Sequence, residues 1–332
     1  MFKNVLITGG AGFIGSNFAR YYYNKYPDAK VTVLDKLTYA GNRDNISDLE
    51  SDPRFKFVQG DIVDQSFLDS LFEKSGFDAV VNFAAETHVD RSIIDPHVFI
   101  QTNVIGTHNL LLASRNFNVT RFHQISTDEV YGDLGDTENT YFTEETPLDP
   151  TMPYAASKAS ADMIVLSYFN TYGMHATISR CSNNYGPYQY PEKLVPYFFR
   201  LASQDKPLPV YGDGLNIRDW LYVEDHCVAI DLILNEAKAG KVYNIGGHNE
   251  KTNLDITRII LEFLGKDPKL IQFVEDRKAH DRRYAIDPTL ITNELGWKPA
   301  IKFEDGIKMT FDWYRNNQSW WEKLLANANR VN

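Results

Sequence analysis

The first forty residues carry the pattern that most limits how this chain can fold. An apolar, β-branched run, "NVLIT", stops in glycine and is followed by "GGAGFIGSNFARYYYNKY", a glycine-rich start that leads into a helix-like segment. Gly10, Gly12 and Gly15 fit the spacing G-x-G-x-x-G, and Gly9, Gly12 and Gly15 fit the wider G-x-x-G-x-x-G. Side chains at these positions would block the tight turn, the approach of a pyrophosphate or the packing of helix on strand. The pattern therefore predicts a strand–turn–helix unit that binds a dinucleotide.

A second predicted strand narrows the choice of dinucleotide. The segment "VTVLD" ends in Asp35, which lies 20 residues after Gly15. An acidic residue at about this distance typically binds the hydroxyl groups of the adenosine ribose. A carboxylate there disfavours a 2′-phosphate, so the sequence predicts NAD rather than NADP as the cofactor.

Alternation of strand and helix continues beyond this unit. "FKFVQGDI", "DAVVNFAAE" and "RFHQIST" are typical of further strands, and "QSFLDSLFEKSG" and "IQTNVIGTHNLLLASRNF" of the intervening helices. Such alternation predicts an α/β fold with a doubly wound parallel (Rossmann) sheet. Ligands of these sheets lie at the carboxyl ends of the strands. Residues expected there are Thr8, Asp35, Asp61, 84–87 and 126–129.

Two adjacent carboxylates follow the fifth predicted strand, in the stretch "STDEVYG". Asp128 and Glu129 repel each other, and neither can be buried cheaply without a partner. A solvated turn is the simplest explanation for an isolated Asp-Glu pair. At the ligand-binding edge of a parallel sheet, a functional role is favoured.

Tyr154 and Lys158 lie four residues apart in the segment "YAASKASADMIVLSYF" and so share one face of a predicted helix. A tyrosine, with an ordinary pKa of about 10, is a poor base near neutral pH. A nearby ammonium group and a positive nicotinamide ring both favour the phenolate. The Tyr-x-x-x-Lys spacing occurs by chance in many helices, but downstream of a dinucleotide fold it predicts a catalytic pair.

Composition excludes several classes of function. The chain has 332 residues, 43% of them hydrophobic, and a formal net charge of −10. This length allows one large or two modest domains, and the negative charge argues against general binding to nucleic acid or anionic membranes. Neither the two cysteines nor the eight histidines have metal-ligand spacing, so no metal site is predicted. The start, "MFKNVLITGG", lacks a signal-peptide layout and no apolar run reaches about 18 residues, so we expect a cytoplasmic protein.

Blocks along essentially the whole chain resemble the extended short-chain dehydrogenase/reductases, and within them the dTDP-glucose 4,6-dehydratases. They include "TGGAGFIGSNF", "LDKLTYAGN", "AAETHVDRSI", "STDEVYGDLG", "PYAASKASAD", "RCSNNYGPYQYPEKL", "YGDGLNIRDWLYVEDH", "YNIGGHNEKTN" and "HDRRYAID". Related nucleotide-sugar epimerases share the glycines, the tyrosine and the lysine, but they usually lack the Asp-Glu pair. One departure is "DRKAHD", where Lys278 and Ala279 replace a more usual Pro and Gly.

The resemblance implies conversion of dTDP-glucose to dTDP-4-keto-6-deoxyglucose in deoxysugar biosynthesis of the rhamnose type, with NAD as the cofactor. It implies that Tyr154 takes the proton of the C4 hydroxyl and that Thr127 hydrogen-bonds near the C4 oxygen. Glu129 is then the base at C5 and Asp128 the acid at C6, while Lys158 binds the nicotinamide ribose. Chemically, C4 oxidation must come first, because only a neighbouring ketone makes the C5 hydrogen removable.

The resemblance also implies the residues that contact ligands. Expected cofactor contacts are Gly9, Gly12, Phe13, Ile14, Gly15, Asp35, Lys36, Leu37, Thr38, Asp61, Ile62, Phe83, Ala84, Ala85, Thr87, Thr102, Tyr154, Lys158 and Asn184. Expected substrate contacts are Thr87, Thr127, Asn183, Lys193, Leu194, Pro209, Val210, Tyr211, Arg218, Asn253, Asp276, Arg277 and His280. Arg218 is the candidate pyrophosphate ligand, because a guanidinium binds phosphate oxygens in a bidentate fork.

The domain organisation is expected to be interleaved. Residues 1–182 form the predicted NAD-binding domain, to which roughly 214–246 return, while 183–213 and 247–332 form a smaller, mixed α/β substrate-binding domain. A homodimer is expected from the resemblance. Two alternatives stay open: a 4,6-dehydratase or 4-epimerase acting on a UDP- or GDP-sugar, and a catalytically silent NAD-binding scaffold. The scaffold is disfavoured because the chain retains all five catalytic candidates, Thr127, Asp128, Glu129, Tyr154 and Lys158. No single residue indicates whether the base of the nucleotide is thymine or uracil.

Overall fold

A seven-stranded sheet forms the centre of the protein in a computed structural model, which describes residues 1–137 and 139–331, with side chains up to 326. The strands of the described chain are β1 Asn4–Thr8, β2 Lys30–Asp35, β3 Phe55–Gln59, β4 Ala79–Asn82, β5 Arg121–Thr127, β6 Ala176–Cys181, β7 Asn183–Tyr185, β8 Leu208–Tyr211, β9 Ile217–Tyr222, β10 Val242–Ile245, β11 Glu250–Thr252 and β12 Ile271–Val274. The large sheet has the order β10-β6-β5-β4-β1-β2-β3, and all its pairs are parallel. The predicted doubly wound α/β fold is thereby confirmed.

Helices connect these strands. The α-helices are α1 Phe13–Lys25, α2 Gln65–Ser75, α3 Val89–Ile94, α4 His97–Phe99, α5 Thr107–Asn116, α6 Pro153–Tyr172, α7 Leu194–Ser203, α8 Val223–Glu236, α9 Asn253–Leu264, α10 Thr289–Leu295, α11 Phe303–Asn316 and α12 Gln318–Val331. Short 3₁₀ turns occupy Arg43–Asn45, Ser47–Leu49, Asp128–Tyr131 and Pro268–Leu270. None of the described helices is long and apolar enough to cross a membrane.

Two apolar layers cover the large sheet, because its strands alternate side chains between opposite faces. On one face, Val5 and Ile7 of β1 pack with residues of α1 and α8. On the other face, Leu6 of β1 packs with residues of α2, α5 and α6. Because β1 has β2 on one side and β4 on the other, the chain reverses its winding there. A crevice for ligands is expected outside the carboxyl ends of these strands.

The later part of the chain builds a second apolar core. Strand β9 pairs with β7 and β11 in a three-stranded sheet, while β8 and β12 form a two-stranded parallel sheet. Helices α7, α9 and α11 contribute buried aromatic and aliphatic side chains to the core around these strands. Helix α8 and strand β10 instead belong to the large sheet and its cover. The domain boundaries stay a prediction.

One predicted helix has a different start. The segment from residue 100 was expected to be a single α-helix, but Ile100–Gly106 form a π-helical stretch before α5 begins at Thr107. Wider π-helical turns often occur at functional sites. Thr102 in this stretch lines a cleft at the carboxyl ends of the large sheet, which is described in the next section as the first cleft.

Candidate active site

A glycine turn joins β1 to α1 and forms the floor of a cleft at the carboxyl ends of the large sheet, here called the first cleft. Gly9 has a φ of +65°, and a Cβ on Gly15 would lie 2.3 Å from the carbonyl oxygen of Gly9. Neither position therefore accommodates a side chain without a shift of the backbone. The N-cap of α1 is Gly12, which supplies no side chain to cap the first amides. These amides and the helix dipole are suited to a phosphate group, so the turn fits the pyrophosphate of a dinucleotide.

Asp35 stands at the end of β2 with its carboxylate held in place by the backbone. Its Oδ2 accepts a hydrogen bond from Ala11 N at 3.0 Å, and its Oδ1 accepts one from Leu37 N at 2.8 Å. Burial raises the pKa of Asp35, and these two amide donors oppose that rise. The carboxylate lines the first cleft with lone pairs left for ribose hydroxyls. This arrangement fits an adenosine ribose that lacks a 2′-phosphate.

The two adjacent acids lie on a 3₁₀ turn directly after β5. Thr127 caps this turn: its Oγ1 accepts from Glu129 N at 3.4 Å and donates to Asp128 Oδ1 at 3.3 Å. Asp128 is 2% exposed, and within the described chain its Oδ2 has no hydrogen-bond partner. An orphaned buried oxygen in a cleft is the expected state of a group that meets a polar ligand.

The surroundings of the two acids differ. Burial raises the pKa of Asp128 well above its ordinary value, and the negative charges of Glu129 and Asp219 add to the rise. Burial also raises the pKa of Glu129, but Arg277, Arg218 and Lys193 all oppose that rise. Asp128 is thus the carboxyl group that stays protonated to higher pH. The pair can offer a proton donor and a proton acceptor side by side.

Tyr154 and Lys158 enter the first cleft from helix α6, where Pro153 occupies the first turn. Burial raises the pKa of Tyr154 well above its ordinary value, and Glu129, Cys181 and Asp128 add to it, whereas the Thr127 hydroxyl lowers it. Lys158 donates to the carbonyl oxygen of Ile125 at 2.6 Å, and burial lowers its pKa. The phenol is therefore neutral in this state, and its pKa lies above its ordinary value, whereas the sequence had led us to expect a pKa below it.

A second cleft adjoins the first and shares Asn183, Glu192 and Lys193 with it. Arg218 lines this second cleft and is 6% exposed. Its guanidinium donates to Ile217 O at 2.7 Å, Asp281 O at 3.0 Å and Arg282 O at 3.5 Å. A guanidinium carries five N–H donors, so further donors remain for a ligand. The fixed fork is suited to phosphate oxygens.

Most predicted ligand contacts fall in these two clefts. The first cleft is lined by Gly9, Gly12, Phe13, Ile14, Gly15, Asp35, Lys36, Thr38, Asp61, Ile62, Phe83, Ala84, Ala85, Thr87, Thr102, Thr127, Asp128, Glu129, Tyr154, Lys158, Asn183, Asn184 and Lys193. The second cleft is lined by Asn183, Lys193, Leu194, Pro209, Val210, Tyr211, Arg218, Asn253, Arg277 and His280.

Two predicted contacts lie outside the lining. Leu37 adopts a φ of 58°, and its side chain packs against the apolar core of α1 and β2. Its backbone amide donates a hydrogen bond to Asp35. Asp276 pairs with His280, whose Nδ1 is 2.6 Å from Asp276 Oδ1. Its carboxylate orients the imidazole that lines the second cleft.

Some lining residues were not among the predicted ligand contacts. Tyr39, Glu86 and Glu192 line the first cleft, although Glu86 was expected at this edge of the sheet, and burial raises the pKa of the Glu86 carboxyl. All three belong to blocks that carry the family resemblance, "LDKLTYAGN", "AAETHVDRSI" and "RCSNNYGPYQYPEKL", which was the available signal. Within the residues that the structure describes, no group of three or more His, Cys, Asp or Glu side chains could hold a metal ion.

Comparison with known proteins identifies the family. Residues 6–310 match the family described as GDP-mannose 4,6 dehydratase. A dTDP-glucose 4,6-dehydratase from Neisseria meningitidis serogroup B is 47% identical, with 99% of this chain and 98% of that protein covered. This chain belongs to the dTDP-glucose 4,6-dehydratase family.

Solved structures separate the dTDP-glucose 4,6-dehydratase family from its neighbours on the same fold. DesIV, the dTDP-glucose 4,6-dehydratase of Streptomyces venezuelae crystallised with NAD and a second ligand, is 49% identical with a TM-score of 0.92, over 97% of this chain and 99% of that one. The UDP-glucose 4-epimerase of Thermus thermophilus, crystallised with NAD, is 30% identical with a TM-score of 0.87, over 95% of this chain and 99% of that one. The fold is common to both enzymes, and the sequence is closer to the dehydratase.

Proposed function

We propose that this chain is an NAD-dependent dTDP-glucose 4,6-dehydratase that forms dTDP-4-keto-6-deoxyglucose. The observation that carries the proposal is the placement of Asp128 and Glu129, with unlike electrostatic surroundings, in one cleft with Tyr154 and Lys158. An epimerase that only inverts C4 needs a tyrosine base and a hydride acceptor. It has no use for a protonated carboxyl beside a second, more acidic one.

The first step falls to Tyr154, which takes the proton of the C4 hydroxyl while Thr127 hydrogen-bonds to the C4 oxygen. Bound NAD would accept the hydride from C4 and later return it to C6, so no net oxidant is consumed. The residues that would hold NAD are the glycine turn, Asp35 and Lys158. Since the phenol is neutral in the described state, the positive nicotinamide ring and Lys158 must favour the phenolate when the complex forms.

Elimination falls to the two acids. Next to the C4 ketone, the C5 hydrogen becomes acidic enough for Glu129 to remove it as a proton. Asp128 donates its proton to the C6 oxygen, which leaves as water, and a C5–C6 double bond forms. When hydride is returned to C6, protonated Glu129 gives a proton back to C5, where solvent exchange of the Glu129 proton allows deuterium to enter. Glu129 is then a base again, and transfer of one proton through solvent from Tyr154, which took it from the C4 hydroxyl, to Asp128 completes the cycle.

The nucleotide is proposed to bind in the second cleft. Arg218 is assigned to the pyrophosphate, and Pro209, Val210 and Tyr211 are assigned to the side of the base. The assignment of thymine rather than uracil or guanine rests on the family to which the chain belongs. Residues Lys278 and Ala279, which depart from the family pattern, lie between Arg277 and His280 of this cleft, so we expect the contacts of that loop to differ from those of relatives.

The experiment that tests this function compares sugar nucleotides. Purified protein is incubated separately with dTDP-glucose, UDP-glucose and GDP-mannose, and products are identified by mass spectrometry and NMR. We expect loss of one water and a 4-keto-6-deoxy product from dTDP-glucose, with much lower kcat/KM for the other two. A C4 epimer without loss of water would contradict the proposal, and so would a preference for UDP- or GDP-sugars.

We also propose that the protein is a cytoplasmic homodimer whose interface includes the outer faces of α3, the π-helical stretch and α6. Ile94 is 84% exposed, Met163 is 61% exposed and Ile100 is 44% exposed, and helices α3 and α6 pack against each other. Burial of these exposed apolar side chains against a second copy of the chain would be favourable. Light scattering of the wild type and of Ile94→Asp/Met163→Asp tests this: a dimer that becomes a monomer supports the interface, and a wild-type monomer contradicts it.

A further inference from the structure

Arg180 is a buried cation. It contacts both helix α6, which carries Tyr154 and Lys158, and the 3₁₀ turn that carries Asp128 and Glu129. It stands on β6, with Ser126 of β5 as its partner on one side and Asn244 of β10 on the other. It is 4% exposed and is absent from the lining of both clefts. A buried guanidinium is costly unless its donors are used, so its contacts indicate what it does.

The first contact reaches the helix that carries Tyr154 and Lys158. Arg180 Nε donates to Asp162 Oδ2 at 2.9 Å, and Asp162 is 0% exposed. Asp162 follows Lys158 by four residues on α6, so the two side chains are neighbours on one helical face. The charge of Asp162 opposes the lowering of the Lys158 pKa by burial. The carboxylate that Arg180 holds therefore favours the charged form of Lys158.

The second contact reaches the turn that carries Asp128 and Glu129. Arg180 Nη1 donates to Tyr131 Oη at 2.9 Å, and the guanidinium carbon lies 4.9 Å from the centre of the Tyr131 ring. Tyr131 is the last residue of the 3₁₀ turn and donates in turn to Asn244 Oδ1 at 2.7 Å. The end of the catalytic turn is thus fixed to β6 and β10 through this phenol.

We propose that Arg180 is a positioning residue that keeps the oxidation pair, Tyr154 and Lys158, in register with the elimination pair, Asp128 and Glu129. This inference rests on the proposed function, which assigns the two pairs to successive steps. One planar guanidinium contacts both elements, through Asp162 and Tyr131, so displacement of either element is resisted by the other. Such rigidity matters because a shift of about 1 Å at a reacting group can cost about 10²-fold in rate.

Three single variants separate the two contacts. Tyr131→Phe removes the hydrogen bond from Arg180 to the turn, together with the one from Tyr131 to Asn244. Asp162→Asn weakens the contact to α6, and Arg180→Met removes both contacts of the guanidinium. In single turnovers, NADH absorbance reports C4 oxidation, and loss of water is read by mass spectrometry of quenched samples. We expect Asp162→Asn to slow the appearance of NADH, and Tyr131→Phe to form NADH normally but to slow its decay, each by about 10²-fold at most. Arg180→Met should slow both steps, with KM for the sugar nucleotide unchanged.

A double variant tests whether the effect of Arg180→Met comes only from the unpaired charge that it leaves on Asp162. Arg180→Met leaves Asp162 buried without its cation, and an unpaired buried charge is damaging by itself. Asp162→Asn/Arg180→Met removes both charges, and it should still be slow in both steps because the bridge remains broken. Return of wild-type rates in the double variant would contradict the proposal.

A matched control comes from the far end of α1. Lys25 forms an ion pair with the buried Asp231 at 2.7 Å, and neither lines a cleft. Lys25→Met should lower the melting temperature without changing either rate constant. If the variants at Arg180, Asp162 and Tyr131 behave like this control, Arg180 has a purely structural role and the proposal is wrong. If the wild type itself produces no 4-keto-6-deoxy sugar, the proposed function fails instead, so the two failures are distinguishable.

Discussion

Asp128 and Glu129 are consecutive residues, yet three cations oppose the effect of burial on the pKa of Glu129, whereas Arg218 is the cation that does so for Asp128. Arg277, Arg218 and Lys193 all lower the pKa of Glu129 against the effect of burial. Asp128 faces the negative charges of Glu129 and Asp219 as well as burial, with Arg218 and the Thr127 hydroxyl opposing. The fold thereby favours protonation of Asp128 over Glu129, as the proposed role of Asp128 as the acid at C6 requires.

A pH-dependent gain of stability is expected for Asp128→Asn. The folded state raises the pKa of Asp128, so the folded protein holds this proton to higher pH than the unfolded chain does. The stability that this group contributes is therefore present below the ordinary aspartate pKa and is lost as pH rises through the folded value. Each unit of upward shift costs about 1.4 kcal/mol once the group is ionised in both states.

The neutral amide of Asp128→Asn avoids this cost. The variant should be more stable than the wild type near neutral pH, and the difference should shrink towards the ordinary aspartate pKa of about 3.9. The free energies of unfolding of the two NAD-loaded proteins are measured with urea at pH values from neutral down to the ordinary aspartate pKa. An advantage that is constant with pH, or that grows on acidification, would show that Asp128 is ionised at no cost.

Gly15→Ala is expected to destroy retention of the cofactor. Its new Cβ would lie 2.3 Å from Gly9 O, so the turn under the pyrophosphate must shift. The measurement is the amount of NAD released by heat from purified protein, which should be near one per chain in the wild type because the cycle regenerates it.

The matched control for the glycine turn is Gly76→Ala. Gly76 has a φ of +60°, and no atom lies within 4 Å of the position that a Cβ would take, so an alanine there introduces backbone strain without a clash. This control should lose about 1–2 kcal/mol of stability and keep its NAD. Full NAD retention by Gly15→Ala would contradict the assignment of the turn.

Arg218→Ala should raise KM for dTDP-glucose far more than it lowers kcat, with the smaller effect on kcat coming from loss of a positive charge that lowers the pKa of Glu129 and Asp128. A charge-assisted contact to a phosphate far from the reacting carbons is present in ground and transition states alike. Arg282→Ala is the matched control, because Arg282 pairs with Asp136 and Asp213 and lines neither cleft. Loss of kcat at unchanged KM in Arg218→Ala would place the residue at the chemistry instead of at the nucleotide.

Local patterns were sufficient to predict the sheet and to place the glycine turn, Asp35, Tyr154 and Lys158 in one cleft. Each depends on spacing within one or two elements, and strand ends of a parallel sheet meet at one edge. The position of Leu37 was not predictable, because its left-handed backbone turns the side chain back into the core. The π-helical stretch was also not predicted, because its apolar pattern resembles that of an α-helix.

Residues brought together from distant segments were the hardest to predict. Arg180 joins Asp162 and Tyr131, which lie 18 and 49 positions away along the chain, and no local motif announces that contact. The protonation order of Asp128 and Glu129 likewise depends on arginines that only the fold brings near. The sequence could therefore indicate two candidate acids, but only the structure gives a physical reason to propose Asp128 as the donor.

The most direct test of the account is a single turnover of Glu129→Gln in D₂O, beside the wild type and Asp128→Asn. The NADH signal reports C4 oxidation, and mass spectrometry of the recovered sugar reports deuterium at C5 and loss of water. Glu129→Gln should form NADH but incorporate no C5 deuterium, because an amide cannot accept that proton. Asp128→Asn should form NADH and exchange some C5 hydrogen, yet lose water about 10²–10⁴-fold more slowly. C5 exchange in Glu129→Gln, or water loss at the wild-type rate in both variants, would contradict the roles assigned to the two acids.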